Sequence, residues 1–248
     1  GIPPDKQIVR TFDLDRCKAK YQYYLGYIFN ARREMDQPIE LTSADYSEIN
    51  YGTIVYYKTA IVFDYLMAYL GEETMDKAMQ KYFEAWKFKH PYPEDFRKIL
   101  EEETGKNLNW FFDDLINTTK KLDYKIVDLI PALSKGEGEK SWQVKVDKGE
   151  EKKIWNVKIK NVGEIAGPFT ISAWKNDSII STEWFEGFSG TNTISFSLPF
   201  GEGQGGALMI DGKNDLPEIN QRNNTIRRKG LLKKVEPLKL QFLASIEN

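Results

Sequence analysis

The chain has 248 residues, of which 41% are hydrophobic and 13% aromatic, enough to bury a sizeable core in one large or two ordinary domains. A net charge of -2, with both signs mixed along the length, argues against a basic face for nucleic acid and against a polybasic membrane patch. No apolar run approaches the ~20 residues that cross a bilayer, so no transmembrane segment is expected; residues 1–30 lack the pattern of a secretory signal, and Cys17, alone, can form no internal disulfide.

The first half carries helical punctuation. Arg16 to Arg33 reads as one long helix, with Tyr21, Tyr24, Leu25, Ile28 and Phe29 recurring at three- and four-residue steps. A second helix spans about Thr53 to Leu70 and stops at Gly71, the residue type that most easily takes the left-handed conformation after a helix. A third runs from about Glu73 to Trp86. The fourth starts at Pro93, whose missing N–H would be unpaired in a first turn anyway, and ends before Gly105. A short fifth, Leu108 to Ile116, has Asn107 as its natural N-cap.

After Leu122 the apolar period falls to two. Trp142, Val144 and Val146 alternate with polar residues, as do Trp155, Val157 and Ile159, then Phe169, Ile171 and Ala173, then Ile194, Phe196 and Leu198. KGEGEK, DKGEEK, NVGE, KNDS, FSGTN, GEGQGG and DGKND supply the turns between them. Short strands at this spacing predict an antiparallel sandwich or barrel. The fold class is therefore multi-domain, α then β: an all-helical lobe over 1–121, an antiparallel β-sandwich over 122–232, and the start of a following segment over 233–248. The opening GIPPDK without methionine, and the alternating PLKLQFLAS just before the final SIEN, read as the ends of a piece cut from a longer protein.

Much familiar chemistry has no sequence basis here. His90 is the only histidine, so the chain holds no H-E-x-x-H, no recognisable Ser/His/Asp triad and no Cys/His zinc knot; phosphate-binding glycine loops are missing too. His90, in FKHPYPEDF, reads as a hydrogen-bonded structural residue rather than a ligand. DGKNDLPEIN, from Asp211 to Asn220, fails the EF-hand order because Gly212 follows the first Asp, and reads as an Asp-Gly turn. RRKGLLKK, Arg227 to Lys234, reads as a solvated inter-domain segment.

The stretch INYGTIVYYKTAIVFDYLMAYLG, Ile49 to Gly71, is different. At ~100° per residue, Ile54, Val55, Ile61, Val62, Tyr65, Leu66 and Tyr69 form one apolar stripe, and Tyr56, Ala60, Phe63, Met67 and Leu70 a second. A helix apolar on most of its circumference lies between layers. Tyr57 falls on the remaining strip with Asp64 and Ala68, the less buried side. Tyr56 stands at the entrance of the second stripe, where its ring packs inward as a core aromatic or offers its O–H to a cleft.

The order Tyr56-Tyr57-Lys58-Thr59, then Lys89-His90, Asp95-Phe96, and Gly105, Leu108, Phe111 and Phe112, resembles the end of the catalytic domain of gluzincin zinc aminopeptidases, the aminopeptidase N and leukotriene hydrolase family. The resemblance covers about residues 40–120. It implies that the helical part is the C-terminal lobe of a thermolysin-like peptidase domain. It also implies that the tyrosine two residues before the lysine, Tyr56, is catalytic: it donates a hydrogen bond to the oxyanion formed when zinc-activated water attacks a peptide carbonyl. Tyr57 is the rival, because the adjacent tyrosine blurs the register, and Thr59 departs from the family's usual glycine. Zinc would be the cofactor of the full-length parent. Its ligands, the general base and most peptide contacts would lie N-terminal to this chain, which by itself should bind no metal and hydrolyse nothing.

VKIKNVGEIAGPFTISAW and GGALMIDGKNDLPEINQRNN are similar to immunoglobulin-like, cell-adhesion-related modules of bacterial surface proteins, with Asn-x-Gly closing a hairpin and Glu-x-Asn-x-x-Asn-Asn following a strand. This implies an immunoglobulin-like sandwich acting as spacer and packing partner, and a setting in a bacterial cell envelope or periplasm. Two readings follow: a fragment of a zinc metallopeptidase, or a non-catalytic binding scaffold built on a degenerate peptidase lobe.

Overall fold

The computed structural model describes residues 19–131, 133–135, 140–142, 144–147, 150–175, 178–198 and 206–227. Outside them lie the expected helix start at Arg16, Cys17, the tips of the KGEGEK, DKGEEK and KNDS turns, GEGQGG up to its last glycine, RRKGLLKK beyond its first residue, and the 233–248 segment. The chain divides between Thr119 and Lys120 into two compact units. No helix among the described residues is long and apolar enough to cross a membrane.

The first unit is helical. Helix α1, Ala19–Arg32, buries Tyr27, Ile28 and Ala31. The next helix starts at Glu48 rather than at the expected Thr53, because Ser47 is extended and its Oγ accepts the Asn50 N–H at 3.3 Å, satisfying a donor that would otherwise be unpaired in the first turn. It runs as α2, Glu48–Gly52, then a π-helical turn, Thr53–Lys58, then α3, Thr59–Leu70. Gly71, with φ of 86°, ends it. Helix α4, Glu72–Trp86, buries Met75 and Ala78. Helix α5, Pro93–Thr104, opens with the Asp95 carboxylate accepting the Tyr92 N–H at 2.8 Å and closes on left-handed Gly105.

The fifth helical segment, Trp110–Ile116, is π-helical and not the α-helix its sequence suggests. Asn107 Oδ1 accepts the Asn109 N–H at 2.8 Å and Glu101 accepts the Leu108 N–H at 3.1 Å, so the entry turn is fixed by two side chains. Phe111 and Phe112 then enter the core, where Phe63 lies 5.5 Å from Phe111 and 5.9 Å from Phe96.

The second unit consists of antiparallel sheets. In chain order the strands are β1 Tyr124–Pro131, β2 Leu133–Lys135, β3 Lys140–Trp142, β4 Val144–Asp147, β5 Glu150–Asn161, β6 Phe169–Lys175, β7 Ser178–Phe185, β8 Thr191–Leu198, β9 Ala207–Ile210 and β10 Thr225–Arg227. One sheet joins β1, β5 and β4, with β8 also on β5; another runs β10-β9-β6-β7; β2 and β3 form a ribbon. On β5, Trp155, Val157 and Ile159 are buried and Lys158 and Lys160 exposed, the alternation the sequence announces. On β6 even Thr170 and Ser172 are buried. That strand is covered on both faces, with Ser172 Oγ 3.0 Å from Thr182 Oγ1. Tyr124 of β1 stacks on Phe169 of β6 at 4.4 Å, so side chains of the two larger sheets share a core.

The Asn-x-Gly and Glu-x-Asn-x-x-Asn-Asn residues tie this unit together. Gly163 lets the backbone of 121–123 pass so closely that a Cβ there would lie 2.3 Å from the Lys121 carbonyl oxygen. Glu218, fully buried, accepts the Tyr124 N–H at 2.9 Å and a hydrogen bond from Asn224 Nδ2, while Asn223 Nδ2 donates to Asp123 at 2.9 Å. Burial, and then the neighbouring Asp211 carboxylate, hold the Glu218 carboxyl well above the usual range. Asp211-Gly212 is a turn: Asp211 has φ of 53°, and its side chain accepts the Asp215 N–H at 2.6 Å.

Candidate functional site

The site begins with a widened helical turn. A π-turn replaces i→i−4 by i→i−5 bonds and inserts an extra residue, which changes which side chains face the core. Here the Thr59 N–H bonds back to the Ile54 carbonyl, and the Thr59 hydroxyl adds a second bond to the same oxygen at 3.2 Å. Threonine at 59 thus has a local role where the resembled family carries glycine.

The turn corrects the expected facing of the two tyrosines. Tyr56 is 59% exposed, not packed inward along the second apolar stripe. Tyr57 is half-buried: its ring lies 5.1 Å from Tyr23 and so close to Gly26 that a Cβ there would come within 2.5 Å of it. A straight-helix projection puts Tyr57 on the more open side; the inserted residue reverses the order.

An aromatic row supports Tyr56. Its ring meets Tyr51 edge-on at 6.1 Å, and Tyr51 meets Tyr46 edge-on at 6.2 Å. The Tyr46 hydroxyl is tied down, donating to the carbonyls of Ile39 and, at 3.2 Å, of Pro38. By contrast the Tyr56 hydroxyl makes no hydrogen bond among the described residues, so its O–H stays available to another molecule. Tyr51 is the contributor the sequence reading passes over. Its signal is the five-residue spacing Tyr46, Tyr51, Tyr56, which neither a helical nor a strand template selects.

The helix carrying Tyr56 is held from below by a polar network. Asn30 of α1 donates from Nδ2 to Asn50 Oδ1 at 3.0 Å and to Thr53 Oγ1 at 2.8 Å. Asn50 in turn donates to the Met35 carbonyl at 2.8 Å and to Gln37 Oε1 at 3.0 Å. Both asparagines are buried, where satisfied amides fix one register and unsatisfied ones are costly. At the other end of the turn, Lys58 is fully buried; its Nζ donates to the Thr118 carbonyl at 3.2 Å and lies 5.9 Å from the ring centre of Tyr27. Burial, reinforced by the Asp36 carboxylate, raises the Tyr27 phenol far above its ordinary range and keeps it neutral.

The remaining singled-out residues serve structure or surface. His90 is exposed and makes no hydrogen bond among the described residues, so the expected structural bond is not formed. Lys89 donates to the Ala85 carbonyl at 2.7 Å, Asp95 caps α5, and Phe96, Phe111 and Phe112 pack together. Among the described residues, no group of three or more His, Cys, Asp or Glu side chains is arranged to hold a metal ion.

The sequence of the helical part is similar to known proteins. Residues 19–115 match the peptidase family M1 domain. Aminopeptidase M1-B of Oryza sativa subsp. japonica is 34% identical over 93 residues, a stretch that is 36% of this chain and 10% of that protein. Among solved structures the chain is similar to Legionella pneumophila aminopeptidase A in complex with aspartic acid, at 15% identity and a TM-score of 0.48, over 80% of this chain and 24% of that one. The chain thus spans about a tenth of the length of the curated relative it matches. The likeness to the peptidase family M1 domain and to an aminopeptidase thus lies in the helical part of the chain.

Proposed function

We propose that the chain is the C-terminal part of the catalytic domain of a zinc aminopeptidase, followed by an immunoglobulin-like sandwich, and that Tyr56 is its oxyanion donor. The observation that carries this reading is the exposed Tyr56 phenol, set on a π-turn inside the stretch that matches the peptidase domain. An oxyanion donor must be preplaced yet unsatisfied in the free enzyme; the Tyr56 ring packs edge-on against Tyr51, and its hydroxyl makes no hydrogen bond among the described residues. Tyr57, half-buried and wedged against Gly26 and Tyr23, is the less open of the two to another molecule.

In this role the phenol keeps its proton and donates it as a hydrogen bond to the carbonyl oxygen as negative charge develops there. A preplaced donor of this kind contributes about 3–4 kcal/mol to the transition state. Zinc would supply the activated water. The described residues offer no zinc site: the one histidine, His90, is exposed, and among the described residues it stands in no ligand cluster. On this reading the ligands and the base lie N-terminal to the segment that matches the peptidase domain.

Metal analysis and peptide assays test the reading. The 248-residue chain alone should carry no stoichiometric zinc and release no N-terminal residue from peptides, and extension through the preceding region of the coding sequence should restore both. Stoichiometric zinc on the chain alone contradicts the proposal. An extended protein that binds peptides without cleaving them points instead to the non-catalytic scaffold.

A further inference from the structure

We infer that Lys58 is the positioning residue for Tyr56, the side chain that locks the widened turn in the rotation that leaves the phenol outside. The inference rests on reading Tyr56 as the oxyanion donor. Three consecutive residues of one turn have sharply different surroundings: Tyr56 is exposed, Tyr57 half-buried and Lys58 at 0% exposure. A lysine amine is among the most costly groups to bury, and the cost falls only where it finds an acceptor in fixed geometry. Lys58 finds one in the Thr118 carbonyl at 3.2 Å, just beyond the C-terminal end of the Trp110–Ile116 helix, where backbone carbonyls carry the negative end of the helix dipole. The face of Tyr27, 5.9 Å away, adds a second contact.

The opposite end of the turn is pinned as well, by Asn30 on the Thr53 hydroxyl at 2.8 Å. A π-turn is a local departure from the straight helix, and relaxing it to α-helical geometry would rotate residues 54–58. Such a rotation would draw Lys58 Nζ away from the Thr118 carbonyl and turn Tyr56 toward the stripe of Ala60 and Phe63, as the helical projection of the sequence has it. The acceptor for Lys58 and the outward pose of Tyr56 are therefore two consequences of one rotation. Lys58 touches no substrate on this account; it acts through the backbone of the turn.

The test uses Lys58→Met, which keeps the length and removes the donor, with Tyr56→Phe as reference. In the full-length peptidase, Lys58→Met should lower kcat by at least tenfold with KM within twofold of wild type. Added to Tyr56→Phe, it should lower kcat less than threefold further, since both changes remove the same hydrogen bond. A kcat within threefold of wild type for a folded Lys58→Met enzyme, or a double variant that falls by the product of the single effects, overturns the inference. Should Lys58→Met not fold, Tyr27→Leu, which removes the ring beside Nζ, is expected to lower kcat several-fold at unchanged KM; no loss overturns it. Ring resonances of ¹³C-tyrosine-labelled 248-residue chain separate the two claims. Lys58→Met should shift the Tyr56 signal and spare Tyr124, and an unshifted Tyr56 signal removes the positioning role even where Tyr56→Phe abolishes turnover. If Tyr56→Phe proves harmless while the Tyr56 signal does move, the donor assignment fails and the lock on the turn stands.

Discussion

Both units bury an ionisable side chain completely, and they do so with opposite results. Lys58 in the helical unit donates to a helix-end carbonyl, and the turn it anchors presents a phenol to solvent. Glu218 in the sheet unit is enclosed by the Tyr124 N–H, Asn224 and the nearby carboxylates Asp211 and Asp123, and everything around it faces inward. One buried polar group fixes the orientation of a neighbour that stays open; the other closes a loop onto a strand. The difference separates a buried group beside an exposed side chain from one enclosed by its own partners. Buried polar groups restrict a chain to one arrangement because misplacing them leaves desolvated, unpaired atoms.

The comparison can be broken from either side. The largest stability effect is expected for Gly163→Ala, whose Cβ would sit 2.3 Å from the Lys121 oxygen and 2.7 Å from the Asp123 nitrogen, both backbone atoms. Denaturant unfolding should show a loss of about 3 kcal/mol, the cost of overpacking against atoms that cannot step aside. On the helical side, Asn50→Leu removes an amide that serves Asn30, Met35 and Gln37. About 2 kcal/mol should be lost, because the partners are left partly unpaired, and a loss under ~0.5 kcal/mol would mean the network does not hold the turn.

Glu218→Gln sharpens the contrast. The folded carboxyl titrates well above its ordinary value, chiefly from burial and then from Asp211. A raised folded pKa makes the neutral acid's contribution fully present below the unfolded pKa, and it is lost as pH rises through the folded one. Wild-type stability of the sheet unit should therefore decline with rising pH above about 4.3. The Gln variant should be flatter, its amide meeting Asn224 Oδ1, which has no partner in the native arrangement. Identical pH slopes would contradict this. The smallest effect is expected for Arg97→Ala. Arg97 bridges Asp113 at 2.6 Å and Glu101 at 3.3 Å on a partly exposed face, so about 1 kcal/mol should be lost, shrinking in high salt.

Much of this architecture is legible in the residues themselves. The change of apolar period after Leu122, the stops at Gly71 and Gly105, the start at Pro93 and the alternation of Trp155, Val157 and Ile159 all follow from local rules. Strand β7 does not, since SIISTEWF carries no clean alternation and is half-exposed along most of its length. Strand β1 is blurred by a register shift between Ile126 and Asp128. At the candidate site, Tyr56 is named by its place before Lys58, but its outward pose depends on one inserted residue of turn. No periodicity at 100° per residue encodes that insertion. The tie from Lys58 to Thr118, sixty positions apart, is equally silent in the sequence.

Steady-state kinetics of the full-length Tyr56→Phe variant bear most directly on the role of the open phenol. Loss of one hydroxyl there should lower kcat by about two to three orders of magnitude, with KM, zinc content and unfolding midpoint unchanged. A change of less than threefold, or a comparable loss confined to Tyr57→Phe, would mean that the exposed ring on the widened turn takes no part in peptide hydrolysis.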